Sequence, residues 1–228
     1  MAQASTLSAV TEVRFNRFLA LVYMIMSLGM VITAWVATSV SNNVELMKRI
    51  LYNPWFAFGL FMLQIILVVA LTAAVTRLST GAALLMFLFY SALTGVSLSA
   101  IFIYYSQSTI SYTFWVAAGM FFFSSLLGFF IKGEMSGVGR FLMLALLGWL
   151  FGSIFVLFIP SPGLNQAMNF MGILLFAGLT VWDTNRLRAF SHQMDGKKSM
   201  GSMAVVGALA LYLDFINLFL LLLRTSRR

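Results

Sequence analysis

Two carboxylic acids in this chain stand where hydrocarbon is expected. Asp183 lies in GLTVWDTNRL (178–187) and Asp214 in ALALYLDFINLFLLLLR (208–224). The other four acids, Glu12, Glu45, Glu134 and Asp195, fall in tails or connections. An ionised carboxylate at the bilayer centre costs about 2.5–3.5 kcal/mol even on lenient insertion scales. Two of them on consecutive apolar stretches must face protein or water, and must be neutralised or paired. If they meet, both cannot ionise cheaply, so the pair titrates as a unit and one shared proton ties two segments together. Losing that proton creates repulsion and an anionic site of hard oxygens, which suits Ca²⁺. The plainer alternative stays open: each acid bonded to a neighbouring hydroxyl or arginine, serving packing alone.

The segments that position these acids are set by composition. Of 228 residues, 61% are hydrophobic and 9% charged, far below the quarter or so that soluble domains carry. The class is therefore all-α integral membrane protein, with the lipid bilayer as its first partner. There is no cysteine, which excludes disulfides and thiol chemistry, and the single histidine, His192, excludes a multi-histidine metal site. The net charge of +8 sits at the ends of apolar runs, so it reads as topology and headgroup contact, with no nucleic acid expected.

Seven stretches are long enough to cross hydrocarbon: 18–40, 55–76, 82–103, 111–131, 140–160, 167–186 and 202–223. A polar cytoplasmic tail (1–17) precedes the seven-helix domain (18–223), and a basic tail (224–228) follows. The first stretch reads as a retained span and not as a removed leader. Pro54, Pro160 and Pro162 fall at span ends, so no proline kink is expected. With the N-terminus inside, the inner side carries Arg14, Arg17, Arg77, Lys132, Arg140, Arg186, Arg188, Lys197 and Lys198. The outer side carries Lys48, Arg49, Arg224, Arg227 and Arg228, so the balance favours a cytoplasmic N-terminus. Seven crossings leave the basic C-terminus outside. A re-entrant last segment would keep both ends inside, and full crossing is the preferred reading.

Helical spacing turns both acids inward. Gly207, Leu211, Asp214, Leu218 and Leu221 share one stripe, with Ala210 and Asn217 at its edge. In the sixth span Gly172, Leu179 and Asp183 line up, with Thr180 and Arg186 adjacent. Asp183 is close to the end of its span and Asp214 nearer the middle of its own. They meet only if the sixth helix runs on past Arg186, or the seventh begins early. The stretch NRLRAFSHQM (185–194) has no proline or glycine to stop it. Thr94 in the third span and Gln64 in the second are further candidates for a polar path, as Asn217 is for orienting Asp214. Ser91, Thr94, Gly95, Ser97 and Ser99, like Ser124, Ser125 and Gly128, read first as helix-packing residues. Aromatic residues such as Trp55, Tyr104, Tyr105 and Trp149 mark the membrane interface or fill space.

Three segments resemble a known family. ALALYLDFINLFLLLLR is similar to the closing signature of the Bax inhibitor (transmembrane Bax inhibitor motif) family. GLTVWDTNRL resembles its sixth-span motif, and YSALTGVSLSAIFIYY (90–105) its third-span motif. The chain is identified as a bacterial member. The resemblance implies a seventh helix surrounded by the other six, and a pH-sensitive calcium leak through the cytoplasmic (inner) membrane. It also implies an aspartate pair, here Asp183 and Asp214, that senses protons and binds calcium transiently, with Arg77 as latch candidate. Arg186, adjacent to Asp183, is the second latch candidate. Some bacterial relatives are associated instead with modulating a membrane-bound protease.

Three function classes follow. The first is a cation leak, with Ca²⁺ and protons as its small partners and no cofactor. The second is a non-conducting interaction protein that acts on a membrane protease. The third is an intramembrane aspartyl protease, which also needs two acids on adjacent spans. Asp214 follows LYL without the glycine of the protease pattern, so no catalytic residue is assigned. All four lysines lie in connections, which excludes a retinal-type Schiff base.

Overall fold

The computed structural model describes residues 2–74, 77–131, 133, 135–159, 161–192 and 200–226. Lys132, Glu134, Pro160, Asp195, Lys197, Lys198, Arg227 and Arg228 lie outside them. All regular structure among the described residues is helical. In order the helices are α1 (Ala2–Ser41), α2 (Val44–Tyr52), α3 (Pro54–Ala73), α4 (Thr80–Leu98), α5 (Ile101–Tyr104), α6 (Gln107–Phe130), α7 (Ser136–Phe158), α8 (Pro162–His192) and α9 (Met200–Thr225).

Seven spans are long and apolar enough to cross a membrane: Phe15–Ser41, Pro54–Ala73, Thr80–Tyr104, Gln107–Phe130, Ser136–Phe158, Pro162–Arg188 and Met200–Thr225. They match the expected stretches to within a few residues. The polar N-terminal segment is helical too, since α1 runs unbroken from Ala2. Pro54 and Pro162 each open a helix, where a missing N–H costs nothing. The helix α8 does continue past Arg186, to His192. The 26 residues of α9 form one helix of about 39 Å, with no break for a re-entrant turn.

Two features depart from a simple seven-rod reading. The connection after the first span contains α2, nine residues with apolar Val44, Met47 and Ile50 on one side and Glu45, Lys48 and Arg49 on the other. The third span is broken between α4 and α5. There Ser99 Oγ donates to the Val96 carbonyl at 2.7 Å, and the Ser99 N–H is shared between Gly95 and Val96. A hydroxyl bonded three residues back competes with the helical ladder, and the chain tightens into a turn.

The chain divides into two compact units. One comprises Met1–Tyr104 and Phe190–Tyr212, the other Tyr105–Ala189 and Leu213–Arg228. In the first, α1 packs against α4 at small residues. A Cβ on Gly95 would stand 2.7 Å from the Thr33 carbonyl oxygen and 2.8 Å from Val36 Cβ. At the centre of that unit Tyr212 is fully buried and its hydroxyl meets Thr33 Oγ1 at 2.6 Å. Phe87 and Tyr90 stand edge-on to its ring. Thr33 Oγ1 also lies 2.9 Å from the carbonyls of Gly29 and Ser91. A phenol hydroxyl in an apolar interior needs such partners.

In the second unit Phe114 and Phe121 of α6 pack edge-on against Phe215 of α9, at 5.5 and 5.6 Å between centroids. The Trp149 indole of α7 donates to the Met168 carbonyl at 2.9 Å and stands perpendicular to Phe176, so it fills space there. Trp55 and Tyr104, by contrast, are exposed.

The seventh span is the most enclosed: 67% of its most apolar window is buried, against 33% or 6% in the others. Burial extends well beyond the stripe of Asp214. Leu209 and Ile216, on the opposite side, are buried as well. Between Ser202 and Leu221 only a narrow line through Met203, Val206, Ala210, Leu213, Asn217 and Leu220 is partly open.

Gly95→Ala is expected to destabilise by about 1–3 kcal/mol, because its Cβ meets backbone that cannot swing aside. Gly59→Ala in α3, where a Cβ meets nothing within 4 Å, is the control and should not lower Tm. Thermal unfolding of both variants in detergent checks this.

Candidate functional site

The site belongs to the second unit, where α8 and the C-terminal half of α9 present polar groups to each other. On α8, Phe176, Thr180, Thr184 and Leu187 recur at four- and three-residue spacing and are all buried, with Asp183 beside Thr184 on the same side. Thr180 and Thr184 have no exposed surface at all. Gly172 sets the approach of α9: a Cβ there would stand 2.8 Å from the Leu221 side chain. Gly128 of α6 does the same from the other side, since a Cβ would collide with the Val181 carbonyl and with Thr184. Close approach at glycine thus seats α8 against α6 and α9 on either side of the acids.

Asp214 is 5% exposed, and the Thr180 hydroxyl hydrogen-bonds its carboxyl. The same hydroxyl lies 2.8 Å from the Phe176 carbonyl. That carbonyl already takes a backbone N–H, so the Thr180 proton is free to turn. It can point to Phe176 while a protonated Asp214 donates to Thr180, or point to an ionised Asp214. The second carboxyl oxygen, Oδ2 of Asp214, is buried with no hydrogen-bond partner. The hydroxyls of Ser125 and Thr184 share that condition. Asp183 is partly buried, and its carboxyl is coupled electrostatically to that of Asp214. Arg186, one turn further along α8, acts on Asp183 in turn, and its guanidinium lies over the Trp182 ring at 5.1 Å.

The other sequence candidates fall elsewhere. Asn217 turns its amide back to the Leu213 carbonyl at 2.8 Å. Thr94 does likewise to Tyr90 at 3.0 Å, within the first unit. Gln64 donates to Ser97 at 3.1 Å, also in the first unit. Arg77 is exposed in the turn after α3. No three His, Cys, Asp or Glu side chains gather among the described residues.

Two residues were missed as site residues. Asn185 Nδ2 donates to the Ile131 carbonyl at 2.6 Å, and Arg188 Nη2 to the Phe129 carbonyl at 2.9 Å. These carbonyls end α6, where the helix has no partner for them. A cation at a helix C-terminus is favourable as well. In sequence the pairs lie 54 and 59 residues apart, so spacing carries no signal of them.

The family described as "Inhibitor of apoptosis-promoting Bax1" matches residues 15–226. The chain belongs to the Bax inhibitor family. Among its relatives is the inner membrane protein YbhL of Escherichia coli (strain K12), 41% identical over 209 residues, covering 91% of this chain and 89% of that protein. A protein of Borreliella burgdorferi is 38% identical over 210 residues, 92% and 90% of the two chains. A membrane protein of Streptococcus pyogenes serotype M1 is 34% identical over 220 residues, 96% and 95%. Membership covers every span, so in this Bax inhibitor protein the acids, Thr180 and the α6 cap all lie within the matched region.

Asn185→Ala and Arg188→Ala each leave a terminal carbonyl of α6 without its donor. Each is expected to cost about 1–3 kcal/mol, read as a lower Tm in detergent.

Proposed function

We propose that this protein is a multi-pass protein of the bacterial inner membrane that leaks cations, calcium foremost, under control of the Asp183–Asp214 pair. The N-terminus is read as cytoplasmic from the lysine and arginine balance of the sequence. The observation that carries the proposal is the sealed Asp214 carboxyl, one oxygen on Thr180 and the other without a partner, with a second acid acting on it.

A carboxyl in that position is held cheaply only with a proton nearby. Losing the shared proton puts two like charges side by side on α8 and α9 and pushes the helices apart. The same step bares hard oxygens to a passing cation. Two carboxylates are too few for the six to eight oxygens of a resident calcium site, which fits an ion in transit better than a bound one. Of the two latch candidates, Arg186 is the one favoured here, since it acts on Asp183 directly. No bond-making chemistry is assigned to the acids.

Purified protein in liposomes should pass Ca²⁺ at a rate that depends on pH, and Asp214→Asn should flatten that dependence. If the wild type and the Asp183→Asn/Asp214→Asn double variant leak alike, the pair is not the gate. A role through contact with another membrane protein, such as a protease, then becomes the better reading.

Sharing of a proton also fixes a sign for stability. Ionising both acids adds repulsion inside the folded protein, so Tm should fall as pH rises through the titration of the pair. Asp214→Asn, equal in shape and uncharged, should remove that slope. A wild-type Tm that is flat or rises over the same range would count against a shared proton.

A further inference from the structure

The short helix α2 has no part in the proposed leak, and its build points to a separate task. Both of its ends run at once into membrane-crossing helices: Ser41 ends α1 three residues before Val44, and Pro54 opens α3 two residues after Tyr52. It is therefore confined to the membrane surface.

Both of its ends are capped by asparagine. Asn43 caps its start through bonds from the N–H groups of Glu45 and Leu46, both 3.1 Å. Asn53 ends it with an N–H bond to the Arg49 carbonyl and caps α3 with its side chain, accepting from Trp55 and Phe56. The helix packs on α1 and α3, and Met47 is buried at 7% exposure. The apolar arc does not end there. Val44 is 69% and Leu46 43% exposed beside it, and Tyr52 and Trp55 stand out at its C-terminal end. At about 100° per residue, Glu45, Lys48 and Arg49 occupy the other side. Glu45 and Arg49 pair at 3.4 Å, which leaves Lys48 as the unbalanced charge.

We propose that α2 is an interfacial anchor for anionic lipid. Its uncovered apolar flank lies in the boundary between headgroups and acyl chains, and Lys48, with Arg49 beside it, faces lipid phosphates. Three features select lipid as the occupant. The helix cannot leave the membrane surface. The exposed aromatics at its C-terminal end, Tyr52 of α2 and Trp55 at the start of α3, are of the types that favour headgroup depth. Its net charge is opposite to that of acidic headgroups. An amphipathic helix of this kind binds by apolar area together with attraction to anionic lipid.

The absence of cysteine makes the test direct. Leu46→Cys and Lys48→Cys are each labelled with an environment-sensitive dye in the full-length chain. The labelled proteins are reconstituted in phosphatidylcholine vesicles with and without phosphatidylglycerol. The dye at Leu46 should be shielded from an aqueous quencher and quenched by a shallow nitroxide lipid, while the dye at Lys48 stays open to water. Nitroxide phosphatidylglycerol should quench the Leu46 dye more than nitroxide phosphatidylcholine, with a preference up to roughly fivefold per unbalanced charge. Lys48→Glu in the Leu46→Cys chain should abolish that preference.

Equal water access at the two positions would overturn the interfacial placement. Equal quenching by the two nitroxide lipids would overturn the anionic preference. Energy transfer between labelled copies at Leu46 would reassign the face to a second copy of this chain.

Discussion

A carboxylate is the one common polar side chain that a helix cannot satisfy by itself. Hydroxyls and amides donate, and carbonyls one turn back have a spare lone pair to receive them. Ser91, Thr94, Thr180 and Asn217 all use this outlet, each bonding to the carbonyl four residues earlier. An ionised acid has nothing to donate, and the helical N–H groups are already taken. Asp214 must therefore find a donor on another helix or keep a proton, and Thr180 of α8 is the group it meets. This constraint fixes which face of α8 turns toward α9 and why the glycines Gly128 and Gly172 stand where they do.

The same rule orders the rest of the molecule. Tyr212, two residues before Asp214, needs a partner for its phenol and finds Thr33. The carbonyls that end α6 need donors and receive Asn185 and Arg188. Where the rule is met, side chains are locked. Where it is not, at Asp214 Oδ2 and at the hydroxyls of Ser125 and Thr184, polar capacity is left inside the second unit. That unspent capacity separates the acid site from the hydroxyl cluster around Tyr212, which is chemically similar but closed.

Much of this was legible in the sequence, because a membrane span announces itself by length and apolarity. All seven were placed, and the lack of any breaker after Arg186 left open the continuation of α8 that is observed. The two acids were visible because charge is rare in such segments. What stayed hidden depends on contacts between distant residues or on short elements. Nine residues of α2 are too few to register as a span, though their alternation of apolar and charged residues is clear once sought. Ser99 looks like any packing serine until its hydroxyl is seen to take the Val96 carbonyl. Leu209 and Ile216 carry no mark that their side of α9 is buried as fully as the side of Asp214.

The interruption at Ser99 divides the third crossing into a 19-residue rod and a four-residue cap. The ladder makes its last four-residue bond at Ser99 and resumes with three-residue bonds from the N–H groups of Phe102 and Ile103. The joint is also a boundary of burial: Ser91 and Thr94 before it are enclosed, while Ile103 and Tyr104 beyond it are exposed.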